Sequence, residues 1–423
     1  MKNKFFCPFP WNHLMFKSNG RVQACCETYG HQFDPTSGAT IAEIANHPII
    51  KQLRLDILDP DKVPDMCWKC ENREQVLGTS VRMNTALMHK HWDEESAKQA
   101  TNADGSMDNF HLEHLDIRWS NLCNYKCRFC HLGSSNLWLK ETQMLGQNVS
   151  DAYNPKTGIA EYDMDWEDLK THLPYVRYVK LAGGEPAIMP GTYQLLEELI
   201  RIGNTKKAKL TLITNATTLQ YGKYDLIGLM SEFDICKVQM SMEGMGVRHE
   251  WARSGKKDWD TIAKNIQQFE KWSNVTYEKL NQNNDSNTRK LNFHTGISWM
   301  NMYHLADFVL AYPNIKFVFN LVTQPKEMSM LHFDVKELKR CSDYYTELLQ
   351  TVHTPMVTDH LQQLKNAIDN SIKKTDQSGN VNKFRMMQDK LDHFRNQSFT
   401  TAYPEWAHLY TVDDVEWLDS EYE

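Results

Sequence analysis

Between residues 112 and 326, short apolar runs alternate with longer segments whose apolar residues recur at helical spacing. His114–Trp119, Tyr178–Ala182, Lys209–Thr214, Val238–Met242, Asn292–Ser298 and Lys316–Val322 each read as a short strand. Amphipathic segments such as Gly191–Ile202 and Thr261–Trp272 lie between them. Strands separated by helices long enough to cross over predict a parallel sheet, whose chemistry gathers at the carboxyl ends of the strands. Upstream, Asn19-Gly20 carries a hairpin signal, and a helix is expected over Ile41–Leu58. Asp93–Asp108, rich in Ser, Asn, Asp and Gly, reads as a linker. Leu361, Leu364, Ile368 and Ile372 share one helical face, and the last hundred residues read as mostly helical. The acidic run 413–423 predicts a solvated tail. The expected divisions are 1–90, a linker over 91–111, a core over 112–326 and a helical extension over 327–423.

The chain has 423 residues, 41% hydrophobic and 11% aromatic, enough for a core larger than one small domain. A net charge of −7 gives no general attraction for a polyanion, which disfavours nucleic acid as partner. No apolar stretch reaches the ~20 residues of a membrane span, and the start, broken by Pro8 and Pro10, does not read as a signal peptide. The expectation is a cytoplasmic protein away from membranes. Eight of the ten cysteines lie in tight groups: Cys7, Cys25 with Cys26, Cys67 with Cys70, and Cys123, Cys127 and Cys130. Such clustering favours metal over disulfides. Cys236 and Cys341 stand alone and read as buried thiols.

Cys123, Cys127 and Cys130 form a C-x3-C-x2-C run just after the first strand. Three thiolates at this spacing hold three irons of a 4Fe–4S cube and leave the fourth iron open to a small ligand. Zinc is the competing reading, with His131 as fourth ligand. With Phe129 before the last cysteine, the run resembles the signature of the radical S-adenosylmethionine (SAM) superfamily. The resemblance implies an α/β fold, a partial, TIM-like (β/α)6 barrel, and SAM chelated to the open iron. One electron would then cleave SAM to a 5′-deoxyadenosyl radical that abstracts a hydrogen from the substrate. Gly183-Gly184-Glu185-Pro186 resembles the superfamily's GGEP turn, which holds the SAM amino group; the two glycines let backbone approach a ligand closely. Thr214-Asn215-Ala216 stands where the superfamily has Thr-Asn-Gly. Ser241 and Glu243 lie in a segment that resembles a SAM-binding strand end. Arg253, or Arg248 in its place, would pair with the SAM carboxylate, a surface salt bridge being the plain alternative. Asn301 matches a position near the adenosine, or caps a helix.

In the N-terminal part, a hairpin returning Cys25 towards Cys7, and a helix leading to Cys67-x2-Cys70, would bring four thiols together, enough for one cluster or one zinc. The pattern Cys7-x12-Gly20-x4-Cys25 followed by Cys67-x2-Cys70, Glu74, Gly78, Ser80 and Arg82 resembles the twitch (half-SPASM) domain and its auxiliary 4Fe–4S cluster. Here that α+β unit precedes the barrel. Cys26 competes with Cys25 as ligand. A four-cysteine cluster has no free iron, so the implied role is electron exchange with the substrate or shaping of its pocket. The resulting expectation is an oxidoreductase-type radical SAM enzyme acting on a peptide or protein side chain, supplied by a flavodoxin- or ferredoxin-type electron donor. The alternatives are a dehydrogenase of a small metabolite and a non-catalytic iron–sulfur or zinc protein.

Overall fold

The alternation becomes one eight-stranded sheet in the computed structural model, which describes residues 5–28, 30–77, 80–255, 258–273, 288–376 and 381–410. Its members are β1 (His13–Phe16), β2 (Val22–Gln23), β3 (His114–Ile117), β4 (Tyr178–Leu181) and β5 (Lys209–Thr214). After a separate hairpin of β6 (Gln220–Tyr221) and β7 (Tyr224–Asp225) come β8 (Ile235–Ser241), β9 (Thr288–Ile297) and β10 (Lys316–Leu321). The spatial order is β10-β9-β8-β5-β4-β3-β1-β2. From β3 to β10 all neighbours are parallel and in chain order, the partial (β/α)6 barrel expected. Gly78 and the acidic run 413–423 lie outside the described residues.

Alternation along the strands sorts the two faces. Leu210 and Leu212 of β5, with Cys236, Val238 and Met240 of β8, are buried in the same core as Ile262, Ile266 and Phe269 of the crossover helix Trp259–Trp272. That helix starts at Asp258, whose carboxylate accepts a hydrogen bond from the Thr261 amide at 2.9 Å. The other face carries Lys180, Thr211, Lys237, Gln239 and Ser241, polar and half-buried. A parallel strand buried on both faces reads as a continuous apolar run. The polar alternation therefore marks a face turned to a lined space rather than to a packed layer.

The hairpin signal at Asn19-Gly20 is met, with Gly20 at φ +84° between β1 and its antiparallel partner β2. β1 also runs parallel to β3, with His13 opposite His114 and Phe16 opposite Ile117, so the N-terminal hairpin extends the core sheet. The helix expected over 41–58 is two helices, Ile41–Ala45 and Pro48–Leu58. Pro48 lacks an amide donor and drives His47 to ψ 142°, which ends the first helix. The polar stretch 93–108 contains a helix, Glu94–Ala100, because Asp93 and Ser96 form a capping box and Ala97 is buried. The C-terminal region is helical as expected: Val335–Thr351, Pro355–Lys374 and Val381–Arg395, with Leu361, Leu364 and Ile368 buried. Cys236 and Cys341 are buried. Among the described residues no helix is long and apolar enough to cross a membrane.

Candidate functional site

The cysteine triad lies in the loop after β3, beyond the carboxyl end of the sheet. Backbone bonds from Lys126 N–H to Ser254 O and from Arg128 N–H to Ala252 O lace this loop to the end of the helix Gly246–Arg253. The lacing puts Arg253 beside the triad, where Nη1 donates to Cys127 Sγ at 3.7 Å. The Tyr125 amide donates to Cys123 Sγ at 3.5 Å, and Asn215 Nδ2 lies 4.0 Å from the same sulfur. Burial pushes the Cys123 thiol up to about 12, with the Glu185 carboxylate adding to the rise. Burial also raises Cys127 and Cys130, opposed at both by Arg253 and at Cys130 first by a backbone bond to His131. Thiols placed this way favour the anionic form only when a bound metal supplies positive charge.

The donor set fits an iron–sulfur cluster better than zinc. Among the described residues no three cysteine sulfurs lie within 4.8 Å of one another. Zn–S bonds of ~2.3 Å in a tetrahedron impose S···S edges of ~3.8 Å. His131, the candidate fourth zinc ligand, is exposed, and its Nδ1 already accepts from the Gly133 amide at 3.1 Å. One set of three potential ligands is that close, His89, His91 and Glu113. There Glu113 accepts from Trp92 Nε1 at 3.0 Å and faces Arg177 at 3.3 Å, so it is already compensated.

The turn after β4 abuts this loop. Gly184 N–H donates to Ser120 O and Glu185 N–H to Leu122 O, at 3.0 and 2.8 Å. A Cβ on Gly184 would stand 2.0 Å from Leu122 O, and one on Gly183, at φ +121°, 2.9 Å from Ser120 O. The close approach for which sequence reasoning reserved these glycines is thus, at Gly184, to the backbone just before Cys123. Glu185 is buried; its carboxylate accepts from Thr214 Oγ1 (2.7 Å), the Asn215 amide (2.6 Å) and the Ala187 amide (3.0 Å). Burial raises its pKa and these bonds oppose the rise. Pro186 opens a buried 3-10 turn, Pro186–Ile188. Ala216, at φ +60°, occupies a left-handed conformation that glycine would take freely. Its amide donates to Thr214 Oγ1 and its carbonyl accepts from Asn265 Nδ2.

The two arginines part company. Arg253 is buried and makes a two-pronged pair with Glu243, at 2.5 and 2.9 Å. Arg248 turns to the C-terminal extension, donating to Ala402 O (2.9 Å) and Glu405 (2.8 Å). Asn301 accepts from the Ser298 amide and donates to Glu243 O and Gly296 O, tying the ends of β8 and β9 rather than capping a helix. Ser241 ends β8 half-buried, and Phe129 packs partly buried against the core. Sequence reasoning missed Arg128, inside the triad. Its guanidinium is buried, stacked 3.8 Å from Trp251, and bonded to Gln388 (2.6 Å), Gln397 (3.0 Å) and Asp392. The C-terminal helix thereby clamps the triad loop. No local pattern signals a pairing across more than 250 residues.

The N-terminal thiols also converge. Cys7, Cys25, Cys67 and Cys70 line one cavity together with Phe9, Met66 and Arg82. Burial pushes Cys7 and Cys67 up to about 12. Glu74 holds the rim: its carboxylate accepts from Ser80 Oγ and from Arg82, which also donates to Phe6 O. Cys26 is not on this cavity; its thiol is hydrogen-bonded to that of Cys25, and the charges of Lys180 and Asp116 act on it as well. Cys7 precedes the amino end of β1, and Cys25 follows β2, which runs antiparallel back to that end. The two thiol groups therefore stand at opposite ends of the sheet.

Residues 117–272, which include the triad, match the Radical SAM superfamily model, so a domain of that superfamily lies within the chain. Among solved structures the chain is similar to native anSMEcpe with bound AdoMet, at 16% identity and a TM-score of 0.34, over 55% of this chain and 59% of that chain. It is also similar to Streptococcus suis SuiB bound to S-adenosylmethionine, at 15% identity and a TM-score of 0.34, over 83% and 70%. SuiB bound to precursor peptide SuiA gives 16% and 0.35, over 81% and 69%. The chain spans little more than half the length of the anSMEcpe chain. At these scores the likenesses carry no argument about substrate. No curated protein matches.

Proposed function

We propose that the chain is a radical SAM enzyme whose catalytic cluster is held by Cys123, Cys127 and Cys130. The supporting observation is the meeting, at the carboxyl end of the sheet, of three half-buried thiols with the Gly183–Pro186 turn and the Arg253–Glu243 pair. When bound, the cluster supplies the electron that cleaves SAM to methionine and a 5′-deoxyadenosyl radical. The chain's own residues prepare the place. The Tyr125 amide, Asn215 and Arg253 direct N–H groups at the sulfurs, which tunes a cluster's potential. Gly183 and Gly184 offer backbone to the SAM amino group. Arg253, which stands against Cys127, and Ser241 are the carboxylate and ribose partners, and Arg248, turned to the C-terminal extension, is not.

Cys7, Cys25, Cys67 and Cys70 would hold an auxiliary 4Fe–4S cluster in a twitch-like N-terminal unit over 1–90; their shared cavity supports the assignment, with Cys25 rather than Cys26 as ligand. The substrate class is a peptide or protein side chain. Electrons would come from a flavodoxin- or ferredoxin-type donor, and the open approach to the triad loop is a cleft of ≈790 Å³ lined by both cations (Lys140, Lys156) and carboxylates (Glu250, Asp258). The test is anaerobic reconstitution with iron analysis and 5′-deoxyadenosine assay. About eight irons per chain and reductive SAM cleavage are expected. Cys127→Ala should abolish cleavage and keep roughly half the iron. Stoichiometric zinc, or unaltered cleavage by Cys127→Ala, would overturn the reading.

A further inference from the structure

The face of the sheet turned away from the crossover helices holds charge that the site described above does not use. Across it runs a row of paired positions: Asp116 on β3, Lys180 on β4, Thr211 on β5 and Lys237 on β8. Lys180 Nζ bonds Asp116 Oδ2 at 2.8 Å, and Arg118 Nη2 stands 3.7 Å from Asp116 Oδ1. One carboxylate thus serves two cations. Lys237 has no hydrogen-bond or carboxylate partner among the described residues. Its neighbours make matters worse: burial lowers its pKa to about 8, and Lys316 and Lys290 add to the fall.

The rows nearer the triad are polar and under-satisfied as well. Gln239 lies opposite Asn292, and Ser241 opposite His294. Asn292 Oδ1 and His294 Nε2 are buried without a partner. His294 stands on the same sheet face as Lys237 and Lys180, and burial first, then those two charges, lower its pKa to about 4. A cation held partly away from water is ordinarily paired, and an unmet one is costly. A structural role does not account for Lys237, since methionine would fill the same volume without that penalty.

We infer that this space is a cradle for an anionic group of the substrate, a carboxylate or a phosphate, with Lys237 as its principal cation and Lys180, Arg118 and His294 around it. The word substrate rests on the radical SAM reading; the anion site does not. The cradle lies between the triad beyond one end of the sheet and the Cys7–Cys70 cavity at the other. An anion held by Lys237 would leave the rest of the molecule directed along Gln239 and Ser241 towards the triad. Lys237 is then a positioning residue, and the reacting carbon sits at some distance from the charge.

The test is calorimetric titration of inorganic phosphate and, separately, glutarate into the reconstituted, SAM-loaded protein at low ionic strength. No reductant or turnover is needed, so failure of the radical reading would show independently in the 5′-deoxyadenosine assay. At least one anion should bind in the millimolar range or tighter. Its affinity should fall at least tenfold in both Lys237→Gln and Lys237→Met, and stay within twofold in Lys223→Gln, an exposed lysine outside the sheet. Phosphate binding alone points to a phosphorylated substrate, glutarate binding alone to a carboxylate; both support the cradle. Two Lys237 variants guard against one that fails to fold. Absence of binding of either anion to the unaltered protein, or equal binding by the folded Lys237 variants, would overturn the inference.

Discussion

A methyl group at Gly184 tests whether that glycine clears room for a ligand or for the protein's own backbone. In Gly184→Ala the new carbon would stand 2.0 Å from Leu122 O, 2.6 Å from Leu122 C and 2.7 Å from Asn121 C. Backbone cannot swing aside as a side chain does, so reaching a C···O contact of ~3.3 Å means parting the two loops by more than about 1 Å. That displacement strains the Gly184–Ser120 and Glu185–Leu122 hydrogen bonds. At ~1 kcal/mol for each bond and ~1–3 kcal/mol for overpacking, the local penalty is roughly 3–5 kcal/mol, placed immediately before Cys123. The expected result is loss of iron from the triad, with the N-terminal thiols unaffected, seen as a fall of up to roughly half in iron and sulfide after anaerobic reconstitution. The low-temperature spin-resonance signal of the reduced triad cluster should fall in step. Full iron content with weakened SAM binding would refute this reasoning and leave ligand clearance as the glycine's role.

Three further outcomes follow from particular contacts. Arg253→Lys loses the two-pronged pair with Glu243 and should weaken SAM binding at least tenfold, whereas Arg248→Lys should change it less than twofold; equal effects in calorimetry would remove the distinction between the arginines. Asp392→Ala strands the buried Arg128 guanidinium and should lower stability by about 3–5 kcal/mol, with a matching loss of triad iron; a melting temperature within a degree of the parent's would count against the clamp. Lys237, held at about 8 in the folded chain against an ordinary 10.5, binds its proton less tightly when folded. Its penalty of roughly 3 kcal/mol is full below pH 8 and gone above 10.5, so stability attributable to this group rises across that interval. The melting difference between Lys237→Met and the parent should shrink from pH 7 to pH 10.5, and a pH-independent difference would contradict it.

Much of this was legible because parallel strands and crossover helices impose short periods on the sequence. The six core strands, the triad, the glycine turn and the Asn19-Gly20 hairpin all announce themselves within a few residues. Gly184 was found, but not its neighbour, since spacing reveals that backbone approaches something and not what. Arg248 and Arg253 look alike in sequence; only the lacing of the triad loop to residues 252–254 distinguishes them. Lys180 and Lys237 left a readable trace, polar residues at alternate places in strands that should be apolar, and it went unused. Arg128 with Asp392 left none. Capping at Asp93 and Ser96 outweighed the loop-forming composition around it, a local signal set against a regional one.

The position of β1 has a consequence for biosynthesis. Its partner on the core side, β3, is made about a hundred residues later. At ~5–20 residues per second on the ribosome, His13–Phe16 has β2 on one side but no partner on the other for roughly 5–20 s. During that interval every residue that lines the cavity of Cys7, Cys25, Cys67 and Cys70, the last of them Arg82, is synthesised. The group of four is thus complete in the growing chain before the triad is made, and the sheet edge beside it stays open until β3 arrives.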